Sequence, residues 1–310
     1  MTWEELLYFR KNEFYYYRMR LFKKYYIIRR PEPGAGFFSN YLWVLGHTIF
    51  ARKLNYIPIV DMKYYKTLYN EDVPVDGELN AWNYYFENDE NVSIDEVLNG
   101  NKYVLGQQKY LSKYLNKFSS SIYGFPTKEM INYFYPIIEE NIRIKNDIIE
   151  NFEMEWKNLK LNENDKIVGI HFRGTDMRNG KWNHPVPSAF ENYLVQAEAL
   201  LNMDSKINKI FLATDELGIV TKYIEYFQGK NICLFYNDVF RASEADESNT
   251  GIHLLLQENT EKLHKYRLGM DVLKDAYFLS KCDYLICGHS NVSNVAIIWN
   301  NKRYEKLICV

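Results

Sequence analysis

Between residues 165 and 300, short apolar runs of strand length alternate with longer segments of helical period. No other feature of the chain constrains its fold as strongly. The pattern predicts strands at 167–171, 209–214, 231–236 and 284–287. Helices are expected at 188–201, 217–227, 263–280 and 295–299. Strands alternating with helices build βαβ units and a parallel sheet, so the fold class is α/β. In open α/β sheets, ligands bind just beyond the carboxyl ends of the strands. Those ends are where functional residues are to be sought.

The first of these strands ends in His171-Phe172-Arg173-Gly174-Thr175-Asp176. An arginine fixed there presents a permanently charged fork suited to phosphate oxygens. The blander alternative is that Arg173 and Asp176 pair with each other. Thr214 and Asp215 close the second strand, and Gly288-His289-Ser290-Asn291 follows the last. Asp275 lies on the long helix. Convergence of such residues is what a nucleoside diphosphate needs. Arginine and hydroxyls serve the phosphates, and a carboxylate accepts from ribose hydroxyls or base N–H groups. Asp215 could equally cap the helix beginning at Leu217, and Asp275 could be a solvated helix residue.

The N-terminal half gives a weaker pattern. A strand at 25–28, the loop Pro33-Gly34-Ala35-Gly36-Phe37-Phe38-Ser39-Asn40, a helix at 41–54 and a strand at 57–61 make one βαβ unit. A glycine loop feeding a helix N-terminus suits an anion, although a G-x-G also serves a tight turn. Eight basic residues between Arg10 and Arg30, against one Glu, could rest on an anionic membrane surface or form a solvated face. Residues 62–125 carry Trp82-Asn83-Tyr84-Tyr85-Phe86 and no clean period. Residues 131–156 read as one or two helices interrupted near Pro136. The polar run at 158–166 marks the boundary between an N-terminal domain, 1–160, and a C-terminal domain, 161–310. The polar loop 237–251, with Glu244, Asp246 and Glu247, is expected to be mobile.

Several classes are disfavoured. The net charge of −2 over 310 residues gives no global field for nucleic acid. There is no apolar run long enough to span a bilayer and no signal-peptide pattern at the N-terminus. The four cysteines, Cys233, Cys282, Cys287 and Cys309, form no C-x-x-C and are expected to be buried, reduced thiols of a cytosolic protein. No D-x-D occurs, which favours a site without a divalent metal, and zinc-hydrolase and P-loop patterns are also missing. His289 and Ser290 are adjacent, a poor arrangement for a base and nucleophile.

A resemblance then becomes visible. His171-Phe172-Arg173-Gly174-Thr175-Asp176, Phe211-Leu212-Ala213-Thr214-Asp215, Gly251-Ile252-His253 and the segment from Asp275 to Cys287 occur in that order. The ordered set resembles the donor-site motifs of α1,6-fucosyltransferases and the related rhizobial nodulation fucosyltransferases. His-x-Arg-x-x-Asp is shared with α1,2- and protein O-fucosyltransferases, and Gly34–Asn40 is similar to their glycine-rich loop. The resemblance covers residues 165–300 well and 30–62 loosely.

The resemblance implies a GT-B type fold of two facing Rossmann-like domains. The donor site would lie in the C-terminal domain and the acceptor side in the N-terminal one. It implies inverting transfer of L-fucose from GDP-fucose without a metal. Arg173 would hold the β-phosphate, His171 would line the donor pocket, and Asp275 would accept from guanine. Ser290 and Asn291 would lie by the diphosphate. Gly36, Thr214, Asp215, His253 and His289 complete the expected donor site. The sequence departs from the family at Met177, where the α1,6 enzymes have lysine, and at Lys181-Trp182-Asn183-His184, where they carry a glutamate. His184 is therefore the candidate catalytic base. Glu191, an N-domain carboxylate or a phosphate-assisted path are its alternatives. The expected acceptor is a glycan or lipid-linked glycan in bacterial surface polysaccharide synthesis. The protein would be cytoplasmic, touching the inner face of the membrane through residues 8–30. Two further readings stay open: use of another nucleotide sugar, and a catalytically inactive nucleotide- or glycan-binding homologue.

Overall fold

The computed structural model describes residues 25–31, 34–88, 92–100, 102–106, 124–159, 164–177, 186–243 and 263–310. Contacts divide the chain into two compact units. One holds the described residues of Met1–Phe118 with Glu140–Arg143, the other those of Ser119–Glu139 with Ile144–Val310. The mixed α/β composition with parallel sheets is the one the alternating pattern called for.

In the first unit β1 (Tyr25–Ile28) pairs in parallel with β2 (Ile57–Val60) and β3 (Tyr103–Leu105). The expected βαβ unit is present, with α1 (Phe37–Lys53) as its crossover. Pro58 is accommodated because β2 is an edge strand, where a missing N–H need not break a ladder. Residues without a clean period fold by aromatic packing instead. Ala81–Tyr84 form a 3-10 turn. Trp82 and Phe86 stack at 4.2 Å, and Phe37 meets Tyr85 edge-on at 5.0 Å. α2 (Ile94–Asn99) opens on a capping box, Ser93 with Glu96, and buries Ile94 and Val97 against Ile27 and Ile59.

The second unit carries α3 (Lys128–Asn141) up to Glu139, and α4 (Asn146–Leu159). α3 runs through Pro136, and the break falls after Asn141 rather than at the proline. The strands β4 (Lys166–Phe172), β5 (Ile207–Thr214), β6 (Cys233–Phe235), β7 (Tyr284–Cys287) and β8 (Lys306–Cys309) form one parallel sheet in the order β6-β5-β4-β7-β8. The chain steps outward from β4 to β6, then returns to the other side of β4 as β7. The order therefore reverses between β4 and β7, which makes that gap the topological switch point.

On one face of this sheet α5 (Phe190–Met203) and α6 (Leu217–Phe227) bury Tyr193, Ala197, Leu200, Val220 and Tyr223 against Val168, Ile170, Ile210, Leu212 and Ile286. On the other, α7 (His264–Lys281) sends Phe278 against Phe211 at 5.5 Å and against Trp156 of α4 at 5.2 Å. Full burial of each such side chain stabilises the fold by about 1.5–3 kcal/mol. The chain after α7 comes so near β4 that a Cβ on Gly169 would stand 2.9 Å from the Cys282 sulfur.

Three expectations are corrected. The last helix, α8 (Asn291–Asn300), begins four residues before Val295 because the Ser290 hydroxyl caps it by accepting from the Ser293 N–H. β8 was not expected at all. Only Cys282 and Cys287 are buried. Cys233 and Cys309 are exposed, since each lies on a short outer strand of the sheet, and all four cysteines are free.

Candidate functional site

The carboxyl ends of β4, β5 and β7 bring together His171, Arg173, Thr214, Asp215, His289, Ser290 and Asn291, as the motif spacing predicted. The turn after β4 is held by two consecutive carboxylates at the end of β5. Asp215 accepts from the Gly174 N–H at 2.9 Å and from the Thr175 hydroxyl at 2.7 Å, and it pairs with the Arg173 guanidinium. Glu216, fully buried, accepts from the Thr175 N–H at 2.6 Å. A side chain at position 174 would have to displace the Glu216 carboxylate, which an added Cβ would overlap. Thr175 itself takes a positive φ of 38°. Two anchors thus fix the backbone carrying Arg173, whose side chain remains 29% exposed.

This geometry decides one reading left open by the sequence. Asp215 does not cap α6; Glu216 occupies that position without a side-chain cap, and the Asp215 carboxylate serves the turn. Arg173 pairs with Asp215, and the expected pairing with Asp176 falls on a side chain outside the described residues.

His171 is buried between β4 and the start of α8. Its Nδ1 lies 2.7 Å from the Ser293 hydroxyl and 3.4 Å from that of Ser290. Burial pushes its pKa down to about 4. The Asp215 carboxylate opposes this and Arg173 reinforces it, and the ring is neutral at pH 7. His289 donates from Nε2 to the Gly124 carbonyl at 3.0 Å and packs edge-on against Phe125, so it tethers the 124–125 segment. Asn291 is the first residue of α8. A helix N-terminus at a switch point is a ready site for an anion, because its N–H groups and dipole face outward.

A second polar group surrounds Asp275. Its carboxylate accepts from the Asn237 amide at 2.6 Å. Burial drives its pKa up to about 7, against the lowering effect of Asn237 and Arg241. Asp271, one turn earlier on α7, is likewise pushed by burial to about 6. Arg241 pins the segment after β6. Its guanidinium donates to the carbonyls of Thr214 (3.2 Å), Val239 (3.2 Å) and Asn237 (2.7 Å). Ala242 N–H adds a bond to the Asp215 carbonyl at 2.9 Å. Residues 237–243 are therefore held by several backbone bonds through Arg241 and Ala242. Residues 244–251 lie outside the described residues.

Gly36 belongs to the first unit, where it precedes α1 in extended conformation and its carbonyl accepts from Asn40 N–H at 3.1 Å. Glu191 is exposed in the first turn of α5. His184, His253 and residues 8–24 lie outside the described residues. Ser293, Glu216, Asn237, Arg241 and Asp271 were missed by the sequence reading. For Ser293 a signal existed, the Ser-x-x-Ser of a cap. For Glu216 and Asn237 none did, because their partners Thr175 and Asp275 are distant in the chain. Among the described residues no three metal-ligating side chains converge, and no helix is long and apolar enough to cross a membrane.

The strand order, with the site at its switch point, can be compared with known structures. No family model and no curated protein matches the chain by sequence. A crystal structure of NodZ α1,6-fucosyltransferase soaked with GDP-fucose aligns with a TM-score of 0.54 at 14% identity, over 89% of this chain and 92% of that one. The chain has the fold of NodZ. NodZ from Bradyrhizobium gives a TM-score of 0.52 at 15% identity, over 88% of this chain and 92% of that one. NodZ co-crystallised with GDP gives 0.53 at 14% identity. The GT-B type of fold implied by the motifs is therefore the one observed.

Proposed function

We propose that the protein is an inverting, metal-independent fucosyltransferase that moves L-fucose from GDP-fucose to a hydroxyl of a glycan. The observation that carries this reading is the placement of Arg173 and the α8 N-terminus at one switch point, in a fold shared with NodZ, whose crystals were soaked with GDP-fucose. The C-terminal domain would hold the donor, which Gly36 of the N-terminal glycine loop would also meet, and the N-terminal domain would form the acceptor side. As GDP departs, negative charge grows on its β-phosphate. Arg173 would stabilise that charge together with the N–H groups of α8. A guanidinium has five N–H donors, so it can hold Asp215 and a phosphate together. Ser290, Asn291, Thr214 and His289 would line the diphosphate, and His253 would reach the donor. Asp275 would read guanine, which offers two adjacent N–H donors. His184 would take the acceptor's proton, with Glu191 as alternative. The acceptor would be a bacterial surface glycan or its lipid-linked precursor, approached from the cytoplasm with residues 8–30 against the membrane.

A thermal-shift panel of nucleoside diphosphates tests the donor. GDP at 100 times its Kd should stabilise by about 2.7 kcal/mol. UDP, dTDP and ADP should stabilise much less. Equal shifts with UDP would remove GDP-fucose as the donor, and GDP binding without turnover of GDP-fucose would leave a binding protein in place of an enzyme.

A further inference from the structure

The Ser293 hydroxyl has one proton to give. The Gly288 carbonyl, 2.7 Å away, can only accept. His171 Nδ1 lies 2.7 Å from the same oxygen. If Ser293 gave its proton to His171, the buried Gly288 carbonyl would lose this donor, at the cost of an unsatisfied backbone group. The proton therefore goes to Gly288, and Nδ1 must bring its own hydrogen to Ser293. The remaining lone pair of Ser293 takes the Ser290 hydroxyl at 3.3 Å, which closes the network. Burial keeps the ring neutral, with one hydrogen to place. With that hydrogen on Nδ1, Nε2 is a bare acceptor. Among the described residues the ring's hydrogen bonds are confined to Nδ1.

We propose that Ser293 is a positioning residue that locks His171 as its Nδ1–H tautomer and leaves Nε2 to accept a hydroxyl or N–H of the bound ligand. The chemistry divides the site. A bare ring nitrogen repels phosphate oxygens and attracts sugar hydroxyls and base N–H groups, whereas Arg173, two residues on, suits phosphate. The ligand's identity rests on the reading of the preceding subsection; the tautomer is a property of the unliganded protein.

Long-range proton–nitrogen NMR of histidine-labelled protein at pH 7 reads the tautomer directly. The His171 signals are identified by their loss in His171→Gln or, if that variant does not fold, by replacing the other histidines one at a time. The expected pattern is a protonated Nδ1 and an unprotonated Nε2. A protonated Nε2 in the wild-type protein overturns the proposal. Ser293→Ala should then move the ring towards Nε2–H and weaken GDP about tenfold, the loss of one hydrogen bond. Ser293→Thr, which restores the hydroxyl, should return both. An unchanged tautomer in a folded Ser293→Ala also overturns it. Failure of the wild-type protein to bind GDP would defeat the nucleotide assignment, while the tautomer spectrum would still decide this one.

Discussion

Lowering the pH should weaken GDP binding through Asp275. Its carboxyl is held at about 7, first by burial and further by the nearby Asp271, with Asn237, Arg241 and Lys274 pulling the other way. The unfolded chain releases this proton near pH 4, so between about pH 4 and 7 the folded state binds the extra proton. The unliganded fold therefore loses stability from this group as pH rises through that window. If Asp275 reads guanine as proposed, the base needs the carboxylate and binding must expel the proton. The ionised fraction is about 90% at pH 8 and about 10% at pH 6 for a group titrating near 7. The Kd for GDP should accordingly rise about tenfold from pH 8 to pH 6, or roughly 1.4 kcal/mol. The terminal phosphate of GDP titrates in the same range. The wild-type profile must therefore be divided by that of Asp275→Asn, which shares the phosphate but not the carboxyl. Calorimetry in two buffers of different ionisation enthalpy should show a proton released on binding near pH 7 by the wild type and less by the variant. A ratio of the two Kd values that stays flat from pH 6 to 8 would refute the assignment of Asp275 to the base.

Arg173→Lys should keep its fold and lose fucosyl transfer by about ten- to a hundred-fold, since a point charge replaces a planar fork and one charge-assisted bond is worth about 1.5–3 kcal/mol. Near-normal transfer by the folded variant would overturn its phosphate role. Gly174→Ala should lower unfolding free energy by about 1–3 kcal/mol, because the new methyl displaces Glu216 from its bond to Thr175. An unchanged urea midpoint would contradict the two-anchor account of the turn. EDTA should leave transfer largely intact, as the lack of D-x-D in the sequence implies. Activity lost in EDTA and restored by Mg²⁺ or Mn²⁺ would disprove it.

The second unit was legible because its central strands β4, β5 and β7 are buried and read as nearly unbroken apolar runs. α6 and β7 fall on the residues the pattern named. β8 escaped because Lys306–Cys309 is a four-residue outer strand, largely exposed, too short for its apolar run to mark a strand by itself. The first unit was obscure from Met62 onward because Trp82, Tyr85 and Phe86 pack from an irregular turn, where aromatic contacts set the fold and no period records them. The site shows the same division. Residues at strand ends, such as Arg173 and Ser290, could be found from spacing. Arg241 could not, because its task is to bond three carbonyls whose positions only the folded chain defines.

Among the described residues, the outer strands of both sheets are three or four residues long: β2 and β3 in one, β6 and β8 in the other. An open edge is a template on which a stray strand from another molecule can assemble, and its grip grows with length. Three or four residues offer too few backbone bonds to hold an incoming chain, and Pro58 removes one more donor from β2. Parallel sheets are slow to form and spend time half-built. A chain that builds two of them while leaving only short edges limits its own aggregation during synthesis. Lengthening β8, or replacing Pro58 with a β-branched residue, would give up that protection.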